Sequence, residues 1–389
     1  MNTPTLPGAS HAPPGANIRQ WVWRAIFVAA LFYLPVLLTD REIFGIRLSN
    51  MQLLNLGLTQ INLMLIAMLG ALSLNYLTGC AGLISIGHAA LYAMGAMTAA
   101  AAGTMGGWPF PLVLLAAGVT GALSGLLAGL PSLRVRGLYF VLSTLALHYI
   151  VIFAFLQFQF KFFDVVGIPY NAAKLGPIEL STPIRWYFFL LPVVALVYWG
   201  LRNTLRTREG RVLMAMRDHE LAATAVGADV RILRLKAFAL SSAIASMAGA
   251  LYAYYLTNVT SEAFGINFAI QFIAMIIIGG MGSLWGSLVG AAVWLLLPSV
   301  INGFASQAGD STGLVHLVLV EHKAQLVQLI FGGLVILLLI FAPGGIAGMG
   351  RQWRDRLGKR RAAPSFPAPP GGARRVAAGL GAFFSKRGQ

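Results

Sequence analysis

The stretch AFALSSAIASMAGALYAYYLT, residues 237–257, contains no charged side chain and is the clearest indication of the fold. An α-helix needs about 20 predominantly apolar residues to cross the hydrocarbon core of a bilayer. The apolar residues here run on without the strict alternation that is typical of strands in a membrane barrel. Residues 237–257 are therefore predicted to form a transmembrane α-helix.

The same pattern recurs along the chain and predicts an all-α fold, a polytopic transmembrane helical bundle of about ten spans. The predicted spans are residues 22–39, 52–77, 84–104, 108–130, 138–160, 184–201, 237–257, 266–281, 284–303 and 323–342. The segment 266–281 is short, so a full span and a re-entrant helix both remain open for it.

Three parts of the chain are predicted to lie outside the membrane. Residues 1–21 are interpreted as a disordered tail, and residues 202–236 form a charged loop. Residues 346–389 form a basic tail that is rich in Pro, Gly and Ala, and its residues 363–372 are too poor in apolar residues to fold alone. The membrane domain is thus assigned to residues 22–345.

The composition excludes a soluble enzyme and a DNA-binding domain. Of the 389 residues, 58% are hydrophobic and 10% are charged, whereas soluble proteins carry about 25% charged residues. The net charge is nevertheless +16. With ten spans and a cytoplasmic N-terminus, every strongly basic stretch falls on the cytoplasmic side, as the positive-inside rule expects. We therefore interpret the charge as an orientation signal: both termini cytoplasmic, no nucleic-acid partner, and a tail that contacts anionic membrane lipid.

The chain lacks the residues needed for ion coupling or ATP hydrolysis. Every acidic residue lies in a predicted loop, tail or helix end, whereas ion-driven carriers use ionisable groups at membrane depth. The only Gly-Lys pair, at 358–359, is followed by Arg360 instead of the Ser or Thr of a phosphate-binding loop. Cys80 is the only cysteine, which excludes a cysteine metal cluster. We expect no catalytic residue, metal or cofactor in this chain.

Glycines recur at four-residue spacing, which places them on one helix face and lets two helices approach closely. Gly121, Gly125 and Gly129 are expected to serve this packing. Close packing or a helix break near the cytoplasmic side is expected at Gly279, Gly280, Gly282, Gly286 and Gly290.

The loop 202–236 reads RNTLRTREGRVLMAMRDHELAATAVGADVRILRLK and carries the strongest functional signal. Residues 210–225 are predicted to form a short amphipathic helix, and Gly227 follows as a helix stop. An apolar face of this kind fits a groove on a partner protein. Its members are Val212, Leu213, Met216 and Ala223. A loop helix on solvent or on the membrane surface, without a partner, is the alternative.

Within this loop, residues 220–227 follow the pattern Glu-x-Ala-Ala-x-x-x-Gly, which resembles the EAA loop of ABC-importer permeases. Three stretches extend the likeness: NYLTGCAGLISIGHAALYAMGAM at 75–97, residues 210–252, and IIGGMGSLWGSLVGAAVWLLLP at 277–298. Over most of residues 50–345 the chain resembles the LivM branch of the branched-chain amino acid (LivH/LivM) permease family.

The resemblance implies a multi-pass subunit of the bacterial inner membrane that has no ATPase of its own. A LivH-type permease subunit would complete the translocation path, and a periplasmic substrate-binding protein would deliver the solute. Two ATP-binding subunits of the LivG/LivF type would bind ATP and magnesium. The residues that the resemblance assigns to the ATPase contact are Arg217, Glu220, Ala222, Ala223 and Gly227.

Uncharged polar residues near membrane depth are candidates for a wet translocation path, namely Gln60, Asn62, Asn75, Ser85 and His88. Hydrogen bonds between helices are the alternative role for them. The solute is expected to be a branched-chain or similar small amino acid, with urea or short amides as the alternative. A stand-alone channel or a secondary carrier is the alternative from a different class of membrane protein.

Overall fold

The computed structural model describes residues 57–135, 137–163, 167–225, 227–307, 323–342 and 344–350. The predicted span 22–39, the start of the span 52–77, the tail 1–21 and residues 351–389 lie outside the described residues. The chain divides into two compact units, Met1–Ala347 and Gly348–Gln389. Every element named below belongs to the first unit.

Helices dominate the described part of the chain, and four two-residue strands join its loops. The helices are α1 (Leu58–Leu74), α2 (His88–Thr98), α3 (Phe110–Gly129), α4 (Leu138–Phe162), α5 (Pro183–Arg206), α6 (Arg208–Asp218), α7 (Glu220–Ala225), α8 (Val230–Leu256), α9 (Ile266–Gly279), α10 (Leu284–Gln307) and α11 (Lys323–Phe341). π-Helical turns at Asn75–Cys80 and Ala99–Met105 extend α1 and α2, and 3₁₀ turns occupy Leu130–Leu133 and Ser261–Phe264. The strands are β1 (Ile168–Pro169), β2 (Lys174–Leu175), β3 (Ile178–Glu179) and β4 (Asn258–Val259).

Six of these helical segments are long and apolar enough to cross a membrane. They are Leu58–Cys80, Phe110–Leu133, Leu138–Phe162, Pro183–Arg206, Val230–Leu256 and Ser261–Gly279. The prediction of an all-α, polytopic membrane protein is confirmed. The count of ten spans and the side on which the termini lie stay predictions.

Two helices begin away from their predicted starts for identifiable reasons. Helix α8 begins at Val230 instead of residue 237, because the Asp229 carboxylate accepts hydrogen bonds from the N–H groups of Arg231 and Ile232 and caps the helix. Helix α2 begins at His88 instead of residue 84, and the non-helical residues 81–87 before it include Gly82, whose φ of +74° is incompatible with a right-handed helix. Hydropathy alone detects neither a cap nor a break.

The segments between the helices gather at the two ends of the bundle. Contacts between these segments show which of them share an end. The end that carries α6 and α7 is here called the loop end. There Nη1 of Arg217 donates to the Gly79 carbonyl at 2.6 Å. At the same end, Nη1 of Arg234 donates to the Ser132 carbonyl at 2.9 Å. At the other end, here called the hairpin end, β2 pairs with β3, and β1 pairs antiparallel with β4. Consecutive membrane helices in the described residues therefore alternate in direction.

Helix α8 forms the centre of the bundle and packs against α3 and α2 through small residues. A Cβ atom added at Gly121 would collide with Ser246, and one added at Gly125 would collide with Ser242. On the α2 side, Gly249 lies directly against the Tyr92 carbonyl. Removing side chains at such points lets helices approach closely, which is how helices associate in lipid.

Candidate functional site

Residues 207–229, here called the coupling segment, contain two short helices at the loop end. The Thr207 hydroxyl accepts from the N–H of Gly210 and caps α6. His219 has extended backbone angles (φ −149°, ψ 93°) and separates α6 from α7. The prediction of one helix over residues 210–225 is therefore wrong, and the helix breaks at His219. Gly227 follows α7 with φ +84°, a conformation that favours glycine.

The apolar face of the coupling segment packs onto its own chain. Leu213, Met216 and Ala223 are buried in a cluster with Phe238 of α8 and Leu284 of α10. The prediction that this face enters a groove on a partner is therefore corrected. The outward face carries Leu221, whose exposed fraction is 82%, together with exposed Asp218, His219 and Thr224.

Arg217 links the coupling segment to two other interhelical segments at the loop end. Its Nη1 atom donates to the Gly79 carbonyl in the π-helical turn after α1. The same atom would lie 2.6 Å from a Cβ atom added at Gly282, between α9 and α10. The Asp218 carboxylate lies 3.9 Å from Arg217 Nε. The main partner of the Arg217 guanidinium is thus a main-chain carbonyl of this chain, that of Gly79.

Glu220, the first residue of α7, forms an ion pair within the chain. Its Oε2 atom lies 2.7 Å from Nη2 of Arg234 in α8, and both side chains are largely buried. The other terminal nitrogen of Arg234 donates to the Ser132 carbonyl at 2.9 Å. One guanidinium therefore links α7, α8 and the 3₁₀ turn between α3 and α4.

A cavity of about 460 Å³ lies beside this ion pair. Its charged wall consists of Arg217, Glu220 and Arg234. Apolar walls come from Leu83 and Ile84 in the segment before α2 and from Phe140 and Val141 in α4. The volume lies in the range of pockets that hold small molecules.

The remaining predicted contact residues occupy different environments. Ala222 and Ala223 both lie in α7, and Ala223 is buried against the bundle. Gly227 is exposed in the turn that follows α7. The five residues assigned to the ATPase contact are thus all in the coupling segment, and their role in that contact stays a prediction.

Asn75 is fully buried, and its side-chain amide makes three hydrogen bonds. Nδ2 donates to the Ser283 carbonyl at 2.8 Å and to Ser287 Oγ at 2.6 Å. Oδ1 accepts from the N–H of Gly282 at 2.8 Å. These bonds match the alternative role of a contact between helices.

His88 and Ser85 belong to a segment that returns into the bundle. His88 Nε2 lies 2.8 Å from the hydroxyl of Ser73, a buried residue of α1. His88 Nδ1 is buried and has no hydrogen-bond partner. Ser85 is also buried, and the neighbouring Ile86 N–H donates to Thr144 Oγ1 at 3.3 Å. Protein therefore encloses Ser85 in the non-helical segment and His88 at the start of α2.

Gln60 and Asn62 lie near the hairpin end. Asn62 Nδ2 donates to the Pro183 carbonyl at 2.8 Å, whereas Asn62 Oδ1 and Gln60 Oε1 are buried without a partner. Because a helix rises about 1.5 Å per residue, Asn62 and Asn75 are roughly 20 Å apart along α1. The structure therefore distributes the five candidate path residues along the bundle and does not gather them into one cluster. A role for them in a path stays a prediction.

The turn between α9 and α10 is formed by glycines in close contact. Gly279 lies against Gly286, and Gly290 lies against the Met275 carbonyl. Gly280 and Gly282 have φ values of +108° and +82°, and Gly280 also lies close to Gly345 after α11. Side chains at these positions would strain the backbone or separate the two helices. On α3, Gly129 lies over Phe238 of α8.

Sequence reasoning missed Arg234, Ser132 and Ser73. Arg234 falls within the predicted charged loop 202–236, whereas in the structure Val230, Arg234, Phe238 and Ser241 form one buried helical face. The signal that would have found it is this spacing, once Asp229 is taken as the helix cap. Among the described residues, no group of three His, Cys, Asp or Glu side chains is placed to hold a metal ion.

These features define a multi-pass, all-α membrane protein with an ordered segment of short helices at one end of its bundle. The family described as "Branched-chain amino acid transport system / permease component" matches residues 56–340, and the chain belongs to that family. It is a membrane subunit of the permease type and not itself an enzyme.

Curated relatives agree with this assignment. The chain is 27% identical over 308 residues to the high-affinity branched-chain amino acid transport system permease protein LivM of Escherichia coli, covering 72% of this chain and 67% of the relative. The LivM protein of Salmonella typhimurium gives the same identity and coverage. A probable branched-chain amino acid transport permease protein LivM of Methanocaldococcus jannaschii is 27% identical over 240 residues, covering 60% and 67%. No solved structure matches the chain.

Proposed function

We propose that this chain is a permease subunit of an ABC importer that moves branched-chain amino acids into the cell. The observation that carries the proposal is the family match over residues 56–340, combined with an ordered coupling segment at one end of the bundle. ATP and magnesium bind in two partner ATPase subunits of the LivG/LivF type, and none binds in this chain. A LivH-type permease subunit completes the translocation path, and a periplasmic binding protein delivers the solute.

The loop end faces the cytoplasm of the inner membrane, where the ATPases act. Its coupling segment offers an exposed apolar side chain, Leu221, on a surface that also carries Asp218 and Thr224. An apolar side chain that projects from a short helix can anchor that helix in a groove on a partner. Leu221 therefore joins Arg217, Glu220, Ala222 and Gly227 as a candidate for the ATPase contact, whereas Ala223 is buried against its own chain.

Transport proceeds by alternating access, in which ATP binding and the loaded binding protein shift the balance between two conformations. Glycines in the turn between α9 and α10 and the non-helical residues 81–87 are the elements best suited to change shape. Discontinuous helices of this kind commonly surround the solute site of transporters. His88 and Ser85 are placed at such a break and remain candidates for the path.

The experiment that tests the function is reconstitution. The chain is purified with its partner permease and ATPases, placed in liposomes, and supplied with the binding protein and radiolabelled leucine. We expect uptake that needs ATP and is competed by isoleucine and valine but not by urea. A complex whose ATPases cannot hydrolyse ATP is the matched control. Uptake by this chain alone, without ATPases, would show a channel or carrier instead.

A further inference from the structure

Arg234 occupies an unusual place at the loop end. Only 8% of its surface is exposed, although it is a charged residue close to the end of a membrane helix. Buried charges are costly unless they are paired. Nη2 pairs with Glu220 at 2.7 Å, and Nη1 donates to the Ser132 carbonyl at 2.9 Å. The two terminal nitrogens of one side chain thus hold two different elements.

The two elements that Arg234 links are α7, which begins at Glu220, and the 3₁₀ turn that contains Ser132. Glu220 begins α7 in the coupling segment, which carries the proposed ATPase contact. Ser132 lies in the 3₁₀ turn that joins α3 to α4, is 1% exposed, and donates its hydroxyl to the Gly129 carbonyl. The turn is therefore firmly attached to α3, which packs closely on α8. A displacement of this turn would act on the ends of α3 and α4, which the turn joins.

The cavity of about 460 Å³ lies between these elements. Ser132, Val135 and Glu220 all line it, so empty volume replaces side-chain packing there. Van der Waals contacts weaken steeply across such gaps. The Arg234 fork consequently provides a direct, directional connection between α7 and the turn at a place where close packing is missing.

We propose that Arg234 is a positioning residue that transmits movement of α7 to the turn between α3 and α4, and so couples ATP use to the opening of the bundle. This inference rests on the proposed function. Arginine suits the role because its planar group makes two hydrogen bonds in fixed directions, whereas the lysine ammonium is a single point charge.

The test compares Arg234→Met and Arg234→Lys with the wild-type chain in the complete reconstituted transporter. Three quantities are measured: the amount of ATPase that co-purifies, the rate of ATP hydrolysis, and the number of leucine molecules imported per ATP. A purely structural role would lower the first. We expect co-purification to be retained and the import per ATP to fall roughly two- to thirtyfold in Arg234→Met, the range reported for residues that carry coupling.

Arg234→Lys keeps the positive charge that compensates Glu220. We therefore expect it to fold and assemble, and it keeps the test possible if Arg234→Met does not assemble. The lysine ammonium lacks the planar fork that directs one bond to Glu220 and another to the Ser132 carbonyl, and we expect a loss of import per ATP that is smaller than in Arg234→Met. The matched control is Lys236→Met, which breaks a second ion pair between the same segment and α8, with Glu209 at 2.6 Å. Both partners of that pair are more than half exposed, so it is expected to have no effect.

Two outcomes would overturn the proposal: an Arg234→Lys transporter with wild-type import per ATP, or an equal loss in Lys236→Met. Failure of the proposed function looks different, because the wild-type complex itself would then show no ATP-dependent uptake.

Discussion

The side-chain carbonyl of Asn75 accepts a hydrogen bond of 2.8 Å from the backbone N–H of Gly282. This contact joins the π-helical turn after α1 to the glycine turn between α9 and α10. The same amide donates to the Ser283 carbonyl and to Ser287 Oγ. One side chain thus forms hydrogen bonds with three polar groups at the start of α10. Gly79 packs against both Asn75 and Gly282, which leaves no room for another side chain there.

Changing Asn75→Asp is expected to destabilise the bundle by about 1–3 kcal/mol, because a carboxylate keeps the acceptor but loses both donors in a buried site. The measurement is the thermal unfolding midpoint of the purified chain in detergent. Asn203→Asp, at a partly exposed position near the end of α5, is the matched control. Equal shifts of the unfolding midpoint in both variants would show that the buried Asn75 contacts stabilise the bundle no more than the contacts of Asn203 do.

Gly125→Ala is expected to weaken the contact between α3 and α8 by about 1–3 kcal/mol, the usual cost of overfilling a packed interface. A Cβ atom there would collide with Ser242 and lie 2.9 Å from the Phe238 carbonyl. Gly200→Ala provides the control, since a Cβ atom at Gly200 has no neighbour within 4 Å. Alanine favours a helix by about 0.5–1 kcal/mol over glycine, so Gly200→Ala is expected to be neutral or stabilising. Unfolding midpoints that shift alike would contradict the packing seen here.

Leu221→Asp is expected to weaken binding of the ATPase subunits about tenfold or more, because burying a leucine contributes about 1.5–3 kcal/mol. Titration of the detergent-solubilised permease complex with ATPase measures the change. Ile178→Asp is the control, as Ile178 is another exposed apolar residue but lies in β3 at the hairpin end. If both variants bind ATPase as the wild type does, Leu221 lies outside the contact.

The proposed orientation is testable with single cysteines. Leu221→Cys and Ile178→Cys place thiols at opposite ends of the bundle, whereas the native Cys80 is buried and not expected to react. With a membrane-impermeant maleimide, we expect Ile178→Cys to be labelled in spheroplasts and Leu221→Cys only after the membrane is permeabilised. The reverse pattern would place the loop end outside the cell.

Several features could be predicted from the sequence because they depend on local composition. A run without charge such as residues 237–257 has few stable states other than a helix in lipid, since every backbone polar group must be satisfied within the segment. Gly227 was likewise predictable as a helix stop. The spacing of Glu220, Ala222, Ala223 and Gly227 indicates an ABC-importer permease, and the stretches 75–97, 210–252 and 277–298 indicate the family that residues 56–340 match.

The contacts between distant side chains follow from the tertiary structure and not from local sequence. The amphipathic pattern of residues 210–225 identified an apolar face, but a pattern does not say whether that face covers a partner or the same chain, and Leu213 and Met216 are buried within this chain. The partners of Asn75 and Arg234 lie far away in sequence, at Gly282 and Ser132. Local propensity depends on neighbours within a few residues, whereas these contacts arise because packed helices bring distant turns to one end of the bundle. For that reason the sequence determined the membrane helices and the family, and the fold determined how the coupling segment is attached to them.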